Sequence, residues 1–471
     1  MKRTFLTSDE RATYRRYAGL ALPRHTSYPI ASAWRADYRA VDFRADLAES
    51  AHQRRPLSLY VHVPFCERLC YYCACTKEII PALRRRTDDP VPHFLDGIEA
   101  EANRLARILG CSEVHQVHLG GGSPTFLQAH YLTRLWDTIK RHFALAPHAE
   151  VAVEIDPRIT TLEQLTVLRS LGFNRVSLGV QDFSSAVQCA VNRIQPLETV
   201  SQVVRWCREL SYTSINFDLI YGLPFQTLTS MAETLEKTIA LAPDRIAFYR
   251  LAVIPEMFRW QNVFRPEDLP AGDLPLDLNL LAIERFQDAG YEFIGLDHFA
   301  KPSEQLSRAL HDATLQRNFQ GMTTGKELDL VGLGPSAISQ LQIAFAQNPK
   351  STSEWRAALE KDLASERGLR LSDDDRLRRE VMQQLYGHGM IRKAILEAQF
   401  GIAFDRYFAS ELERLSDLGG QGIVTQDGNS ICLTAPLGRL LVRVVAAVFD
   451  RYLPPEAYRN GLPAHLSSKV G

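Results

Sequence analysis

Residues 56–75, PLSLYVHVPFCERLCYYCAC, run from a short apolar stretch directly into four cysteines, Cys66, Cys70, Cys73 and Cys75. The apolar stretch reads as a β-strand, so the cysteines occupy the loop at its carboxyl end. Thiolates packed this densely can wrap one polynuclear metal centre, and iron–sulphur clusters are held by cysteine sulphur in compact runs of this kind. A four-thiolate zinc site instead brings two cysteine pairs together from separated segments, and the single Ala74 between the last two thiols is cramped for a tetrahedron. A disulfide framework suits a small secreted chain, whereas this one is long and starts MKRTFLTSDERATYRRYAG, charged and polar rather than signal-like. The remaining cysteines, Cys111, Cys189, Cys207 and Cys432, are scattered and read as ordinary core residues.

Outward from that strand, apolar runs alternate with amphipathic stretches, the pattern of a parallel α/β sheet or barrel. Further strands are expected at VHQVHLGGG, AEVAVEIDP, NRVSLGVQDF, TSINFDLIYGLP, DRIAFYRLAVIP and YEFIGLDHFA. Between them VPHFLDGIEAEANRLARIL, AHYLTRLWDTIKRHF, TLEQLTVLRSLG and LTSMAETLEKTIALA repeat apolar residues every three to four positions, as helices do. Six or seven such units predict a partial (β/α)6-type parallel barrel rather than a complete eightfold one. The expected domains are an N-terminal extension over 1–55 packed on the barrel, a catalytic domain over 56–345, a strand-poor helical link over 346–370, and a small, mostly helical C-terminal domain over 371–471. In that last part GIVTQDGNSICLT is a hairpin candidate, with Asp427 and Gly428 at the turn.

Composition bounds the function. At 471 residues the chain exceeds one usual core. Lys plus Arg is 54 against Asp plus Glu 55, which gives no case for nucleic acid or an acidic membrane surface. No apolar stretch approaches the length of a membrane span. A reducing, cytoplasmic setting is expected for the free thiols.

In parallel α/β folds ligands gather at the carboxyl ends of strands. The cysteine loop, Gly120 to Gly122, Glu154 with Asp156, and Gln181 with Asp182 fall at such ends, and Asp218 lies within the next strand. The triple glycine is either a tight turn or bare backbone for a ligand's polar groups. Glu154 either faces solvent on an edge strand or accepts hydrogen bonds from a ribose diol. Asp218, between Phe217 and Leu219, either sits in a structural ion pair or waits for a polar ligand.

Cys66, Cys70 and Cys73 form CxxxCxxC with Tyr72 before the third cysteine, which resembles the signature of radical S-adenosylmethionine (SAM) enzymes. In that superfamily three thiolates hold a 4Fe-4S cluster whose fourth iron chelates SAM. The blocks HLGGGSPTFL, VEIDPR, RVSLGVQDF, VNRIQ, INFDLIYGLPFQT, GLDHFAKPSEQL, RNFQGMTT and LGPSAIS follow in the order of the oxygen-independent coproporphyrinogen III oxidase family, and the chain resembles that family from about residue 22 to 345. The resemblance implies oxidative decarboxylation of two propionates of coproporphyrinogen III to vinyl groups in haem biosynthesis. It implies two SAM molecules, one on the cluster held by Tyr60, Gly121, Glu154 and Ile338. The second is expected on Tyr72, Gly122, Ser123, Gln181, Arg193, Asp218 and Ala252. Cys75 is then not an iron ligand but a residue beside the substrate or the second cofactor, with a catalytic role. The implied partners are a tetrapyrrole and an external low-potential electron donor such as flavodoxin or ferredoxin, with the enzyme a monomer.

Cations for the propionates are sought among Arg24, Arg54, Arg55, Lys77 and Arg84 to Arg86, of which Arg24 and Lys77 lie in motif-like blocks. Three departures from the family stand out: Ala74 for a glycine, Ser123 for a threonine, and LAVIPE at 251–256. Two rival readings keep the fold: an enzyme acting on another tetrapyrrole, and a haem-binding chaperone. The chaperone branch commonly lacks the extra cysteine and the N-terminal PRxTSYP block, so Cys75 and Arg24 to Pro29 count against it.

Overall fold

The computed structural model describes residues 5–85, 87–325, 328–463 and 469–470. Arg86, one of the candidate cations, lies outside them. The strands in chain order are β1 (Leu57–Val63), β2 (Phe65–Cys66), β3 (Glu78–Ile79), β4 (Glu113–Gly121), β5 (Ala144–Ile155), β6 (Arg175–Gln181), β7 (Ser214–Tyr221), β8 (Arg245–Arg250), β9 (Glu292–Gly295) and β10 (His298–Ala300). They continue with β11 (Gln316–Asn318), β12 (Gly321–Thr323), β13 (Asp329–Leu333), β14 (Ile338–Gln340), β15 (Ala344–Gln347), β16 (Arg367–Arg370), β17 (Met390–Arg392), β18 (Val424–Gln426) and β19 (Ser430–Leu433). One sheet of twelve has the order β16-β15-β14-β13-β1-β4-β5-β6-β7-β8-β10-β9.

Its centre is the expected series β1, β4, β5, β6, β7, β8, all parallel. A further parallel strand, β13, pairs with the outer side of β1 and was not read as a strand. The last candidate, YEFIGLDHFA, breaks at Leu296, whose φ is 52°, into the antiparallel pair β9 and β10. The barrel is therefore open, as expected, and antiparallel strands edge both sides.

The helices form where periodicity puts them, at Val91–Leu109, Ala129–His142, Leu162–Ser170 and Leu228–Leu241. Starts are fixed chemically: Thr161 and Gln164 exchange hydrogen bonds in a capping box, as do Thr227 and Ser230. The apolar faces of these helices bury Phe94, Ile98, Leu105, Leu135 and Leu165 against the outside of the sheet. The inward positions of the strands are polar instead, which reserves the barrel interior for ligands.

The segment 346–370 corrects the strand-poor reading: after the helix Thr352–Lys361, β16 pairs antiparallel with β15 and extends the main sheet. Its charges are used in contacts at the sheet edge: Arg367 Nε donates to Gln347 Oε1 (2.8 Å) and Arg370 pairs with Asp46 and Glu49. The C-terminal part is mostly helical, with the expected β18–β19 hairpin joined by a third strand, β17. The N-terminal extension packs into the same core through Tyr14, Tyr17, Leu22, Tyr28 and Leu47. It also ties the two ends together, since buried His25 sits between the Tyr386 hydroxyl (2.9 Å) and the Asp450 carboxylate (3.0 Å). Among the described residues no helix is long and apolar enough to cross a membrane.

Candidate functional site

The cysteine loop leaves β1 and is pinned from several sides. Tyr71 N–H donates to the Val191 carbonyl (3.0 Å) and Asn192 Nδ2 to the Leu69 carbonyl (2.8 Å). Lys77 Nζ donates to the Cys73 and Cys75 carbonyls (3.1 and 3.2 Å), and Trp260 Nε1 also donates to Cys73 (3.1 Å). The Lys77 ammonium lies 4.1 Å from the Trp260 ring centroid, a cation–π contact. Lys77, considered above as a propionate cation, is thus occupied in holding the loop.

Cys66, Cys70, Cys73 and Cys75 line one cavity, together with Tyr72, Gly121, Gly122, Ser123, Glu154, Gln181, Arg193 and Asp218. The expected site residues are therefore brought together, with three exceptions. Tyr60 stands one side chain back, its hydroxyl 3.0 Å from His62 Nδ1 and its ring stacked on His118. Ala252 offers its carbonyl to Gln261 Nε2 (3.0 Å) and does not line the cavity. Ile338 does not line it either: it packs in an apolar cluster with Trp34, Phe345 and Leu371, because β14 lies two strands beyond β1.

The thiols differ electrically. Burial, with Cys73 and Cys70 nearby, pushes Cys66 up to about 12. Cys73 is pulled down by the hydrogen bond from Cys75 and by the Lys77 charge, although burial opposes this. Cys70 Sγ has two guanidinium neighbours, Arg193 Nη1 at 3.5 Å and Arg158 Nη2 at 3.6 Å. Among the described residues no three His, Cys, Asp or Glu converge as one ion would require. The four thiols line the wall of the shared cavity.

The guanidiniums are themselves fixed by Asp156, a residue noted only as a strand end. Arg158 Nη2 approaches its carboxylate to 2.6 Å and Arg193 Nη1 to 3.3 Å. Burial alone would raise Asp156, but Arg193 and Arg158 outweigh it and hold it down to about 2. Arg193 Nη2 also donates to the Gly179 carbonyl at 2.6 Å, and a Cβ on Gly179 would stand 2.9 Å from that nitrogen. A register shift between Gly179 and Gln181, with Gln181 at φ 69°, re-aims the strand end into the cavity.

The triple glycine turns out to serve close packing. A Cβ on Gly121, at φ 109°, would lie 2.6 Å from the His62 ring, and one on Gly122 would lie 2.7 Å from the Phe65 carbonyl oxygen. His62 Nε2 donates to the Thr76 carbonyl (2.9 Å), so its Nδ1 accepts from Tyr60. Glu154 is on a central strand, not an edge: Gly121 N–H donates to it at 3.1 Å and His118 Nε2 lies at 3.0 Å. Burial raises Glu154, but His118 and the Gly121 N–H hold it below the ordinary glutamate range.

Asp218 has no ion pair among the described residues. It accepts from Ser177 Oγ (3.0 Å) and Asn216 Nδ2 (2.9 Å), and burial followed by repulsion from Glu154 raises it to about 6. Cys75, Glu154, Ser177 and Asp218 also line a second cavity, of about 320 Å³, that fills the barrel interior. A ligand in that space reaches the thiol cavity across these four residues. Ser177, Gly179 and Arg158 escaped the sequence reading. The period-two alternation of β6, which turns Arg175, Ser177 and Gly179 to one face, is the signal that could have found the first two.

The Radical SAM superfamily profile matches residues 60–238. The oxygen-independent coproporphyrinogen III oxidase of Pseudomonas aeruginosa is 43% identical over 443 residues, 93% of this chain and 95% of that one. Its namesake from Synechocystis is 39% identical over 459 residues, 96% and 97% of the two chains. The solved coproporphyrinogen III oxidase of Escherichia coli, described as a radical SAM enzyme, superimposes with a TM-score of 0.87 at 39% identity, covering 91% of this chain and 98% of that one. With the thiol cavity, the open parallel barrel and relatives this similar over nearly their whole length, the chain belongs to the oxygen-independent coproporphyrinogen III oxidase family.

Proposed function

We propose that this protein catalyses the oxygen-independent oxidative decarboxylation of coproporphyrinogen III to protoporphyrinogen IX, in haem biosynthesis. The observation that carries the reading is the join between the thiol cavity and the barrel cavity at Cys75, Glu154, Ser177 and Asp218, in a chain of this family. A 4Fe-4S cluster, when bound, supplies an iron that chelates SAM and an electron that cleaves it to the 5′-deoxyadenosyl radical.

Cys66, Cys70 and Cys73 hold the cluster in this reading, and Cys75 stays free beside the substrate. Gly121 and Glu154, backed by Tyr60, receive the SAM on the cluster; the carboxylate of Glu154, already ionised, suits a ribose diol. Tyr72, Gly122, Ser123, Gln181, Arg193 and Asp218 receive a second SAM, and their common cavity supports that assignment. Ala252 and Ile338 are not carried into it. The barrel walls keep water from the radical. An external low-potential donor, flavodoxin or ferredoxin, a monomeric state and a cytoplasmic setting complete the reading; the eight unpaired cysteines support a reducing compartment.

The test is anaerobic reconstitution with reductant, SAM and coproporphyrinogen III. Protoporphyrinogen IX and 5′-deoxyadenosine are expected together. Deoxyadenosine without a decarboxylated product would leave radical chemistry but defeat this substrate, and stoichiometric haem binding without turnover would favour a chaperone.

A further inference from the structure

Besides the carboxylates Glu154 and Asp218, the barrel cavity is lined by the guanidiniums of Arg175 and Arg245. His298, on β10 and 8% exposed, projects into it with Nδ1 lacking a hydrogen-bond partner. Burial and the charges of Arg317, Arg24 and Arg245 push His298 down to about 3, so its imidazole is neutral, and its ring lies against the β11–β12 hairpin, where a Cβ on Gly321 would stand 3.5 Å from Nε2. Two of these arginines are compensated. Arg24 pairs with Asp297 and lies over the Tyr249 ring, and Arg245 Nε meets Glu304 at 2.6 Å.

Arg317 is not compensated. It is 5% exposed, its guanidinium stands 5.5 Å from the Tyr386 ring centroid, and among the described residues no carboxylate pairs with it. Among the described residues its Nη1 reaches only the Met322 sulphur at 3.8 Å, and its Nε has no acceptor. Gln320 Nε2, in the turn of the same β11–β12 hairpin and lining the barrel cavity, also lacks one. The hairpin is nevertheless held firmly: Gln383 bonds the Arg317 N–H at 2.8 Å and its carbonyl at 2.6 Å. Asn318, next to Arg317, lines both the barrel cavity and a cavity of about 510 Å³ that Arg317 itself lines.

An unpaired buried guanidinium is costly, and its planar fork suits a carboxylate. We propose that Arg317, with Gln320 and His298 beside it, is the subsite for a carboxylate of the barrel ligand, namely a propionate that is retained through the reaction. This rests on the function proposed above. The wall at Glu154 and Asp218 repels carboxylates, so the retained propionates settle on the opposite charge while the reacting ones approach the thiol cavity.

The test is fluorescence titration of the cofactor-loaded enzyme with coproporphyrin III, its tetramethyl ester and, separately, SAM. Loss of a charge-assisted hydrogen bond pair predicts at least about tenfold weaker binding of the free acid by R317Q. Ester and SAM affinities stay as in the wild type, and R317K recovers part of the loss. Unchanged affinity of R317Q for the free acid overturns the subsite, as does a loss confined to SAM, which would make the carboxylate the cofactor's. If R317Q does not fold, R317K decides: a loss for the acid alone upholds the subsite, and an equal loss for acid and ester overturns it. A wild type that neither binds coproporphyrin III nor converts coproporphyrinogen III defeats the proposed function itself; turnover by the wild type with unaltered R317Q defeats only the subsite.

Discussion

Replacing Asp218 by asparagine tests whether this carboxylate is kept for a ligand at the expense of stability. Burial and Glu154 raise it from 3.8 to about 6, and no ion pair involves it among the described residues. A group whose folded value is raised binds its proton more tightly when folded, so stability falls as pH climbs from about 4 to about 6 and stays lowered above. At pH 8 a shift of about 2 units corresponds to roughly 3 kcal/mol, and at pH 5 to roughly half of that. Asp218→Asn removes the penalty but replaces the hydrogen bond accepted from Ser177 Oγ by one donated to that hydroxyl, which already accepts from Asn216 Nδ2 at 2.8 Å, and this costs about 1 kcal/mol. The variant is therefore expected to gain about 2 kcal/mol at pH 8 and well under 1 kcal/mol at pH 5, the difference of these terms. Urea unfolding followed by tryptophan fluorescence at both pH values measures it. The same variant should show a KM for SAM raised about tenfold or more, as expected for a lost hydrogen bond to a charged group. A variant less stable at pH 8, or a gain equal at both pH values, would refute the account of Asp218 as an unpaired buried carboxylate.

Cys75→Ser should keep the iron and sulphide content of the wild type, because Cys66, Cys70 and Cys73 suffice as ligands; loss of iron would make Cys75 a ligand. Gly121→Ala forces a Cβ to 2.6 Å from His62 at a φ of 109°, and should cost about 2–4 kcal/mol in urea unfolding from strain plus overpacking. A cost below about 1 kcal/mol would mean that the His62 ring moves aside freely despite its bond to Thr76.

Local chemistry was legible early. The CxxxCxxC spacing, the strand before it and the alternation of apolar runs with amphipathic helices are all written within short windows, because a strand's period of two and a helix's of 3.6 are local properties. The split of YEFIGLDHFA into β9 and β10 was not, since the run is short and apolar and only the left-handed Leu296 breaks it. The strand β16 was hidden by its charge, which an edge position tolerates.

The sequence by itself determined the family, the parallel barrel, the three thiols and the strand ends on which a site must gather. The tertiary structure alone decided what each polar residue meets across the barrel. It set Glu154 between Gly121 and His118, left Asp218 without an ion pair among the described residues, placed Ile338 in an apolar cluster, and buried Arg317 with no carboxylate partner among the described residues. These outcomes depend on which strands lie side by side and in what register, and residues 36 positions apart, such as His118 and Glu154, are joined only when the sheet closes.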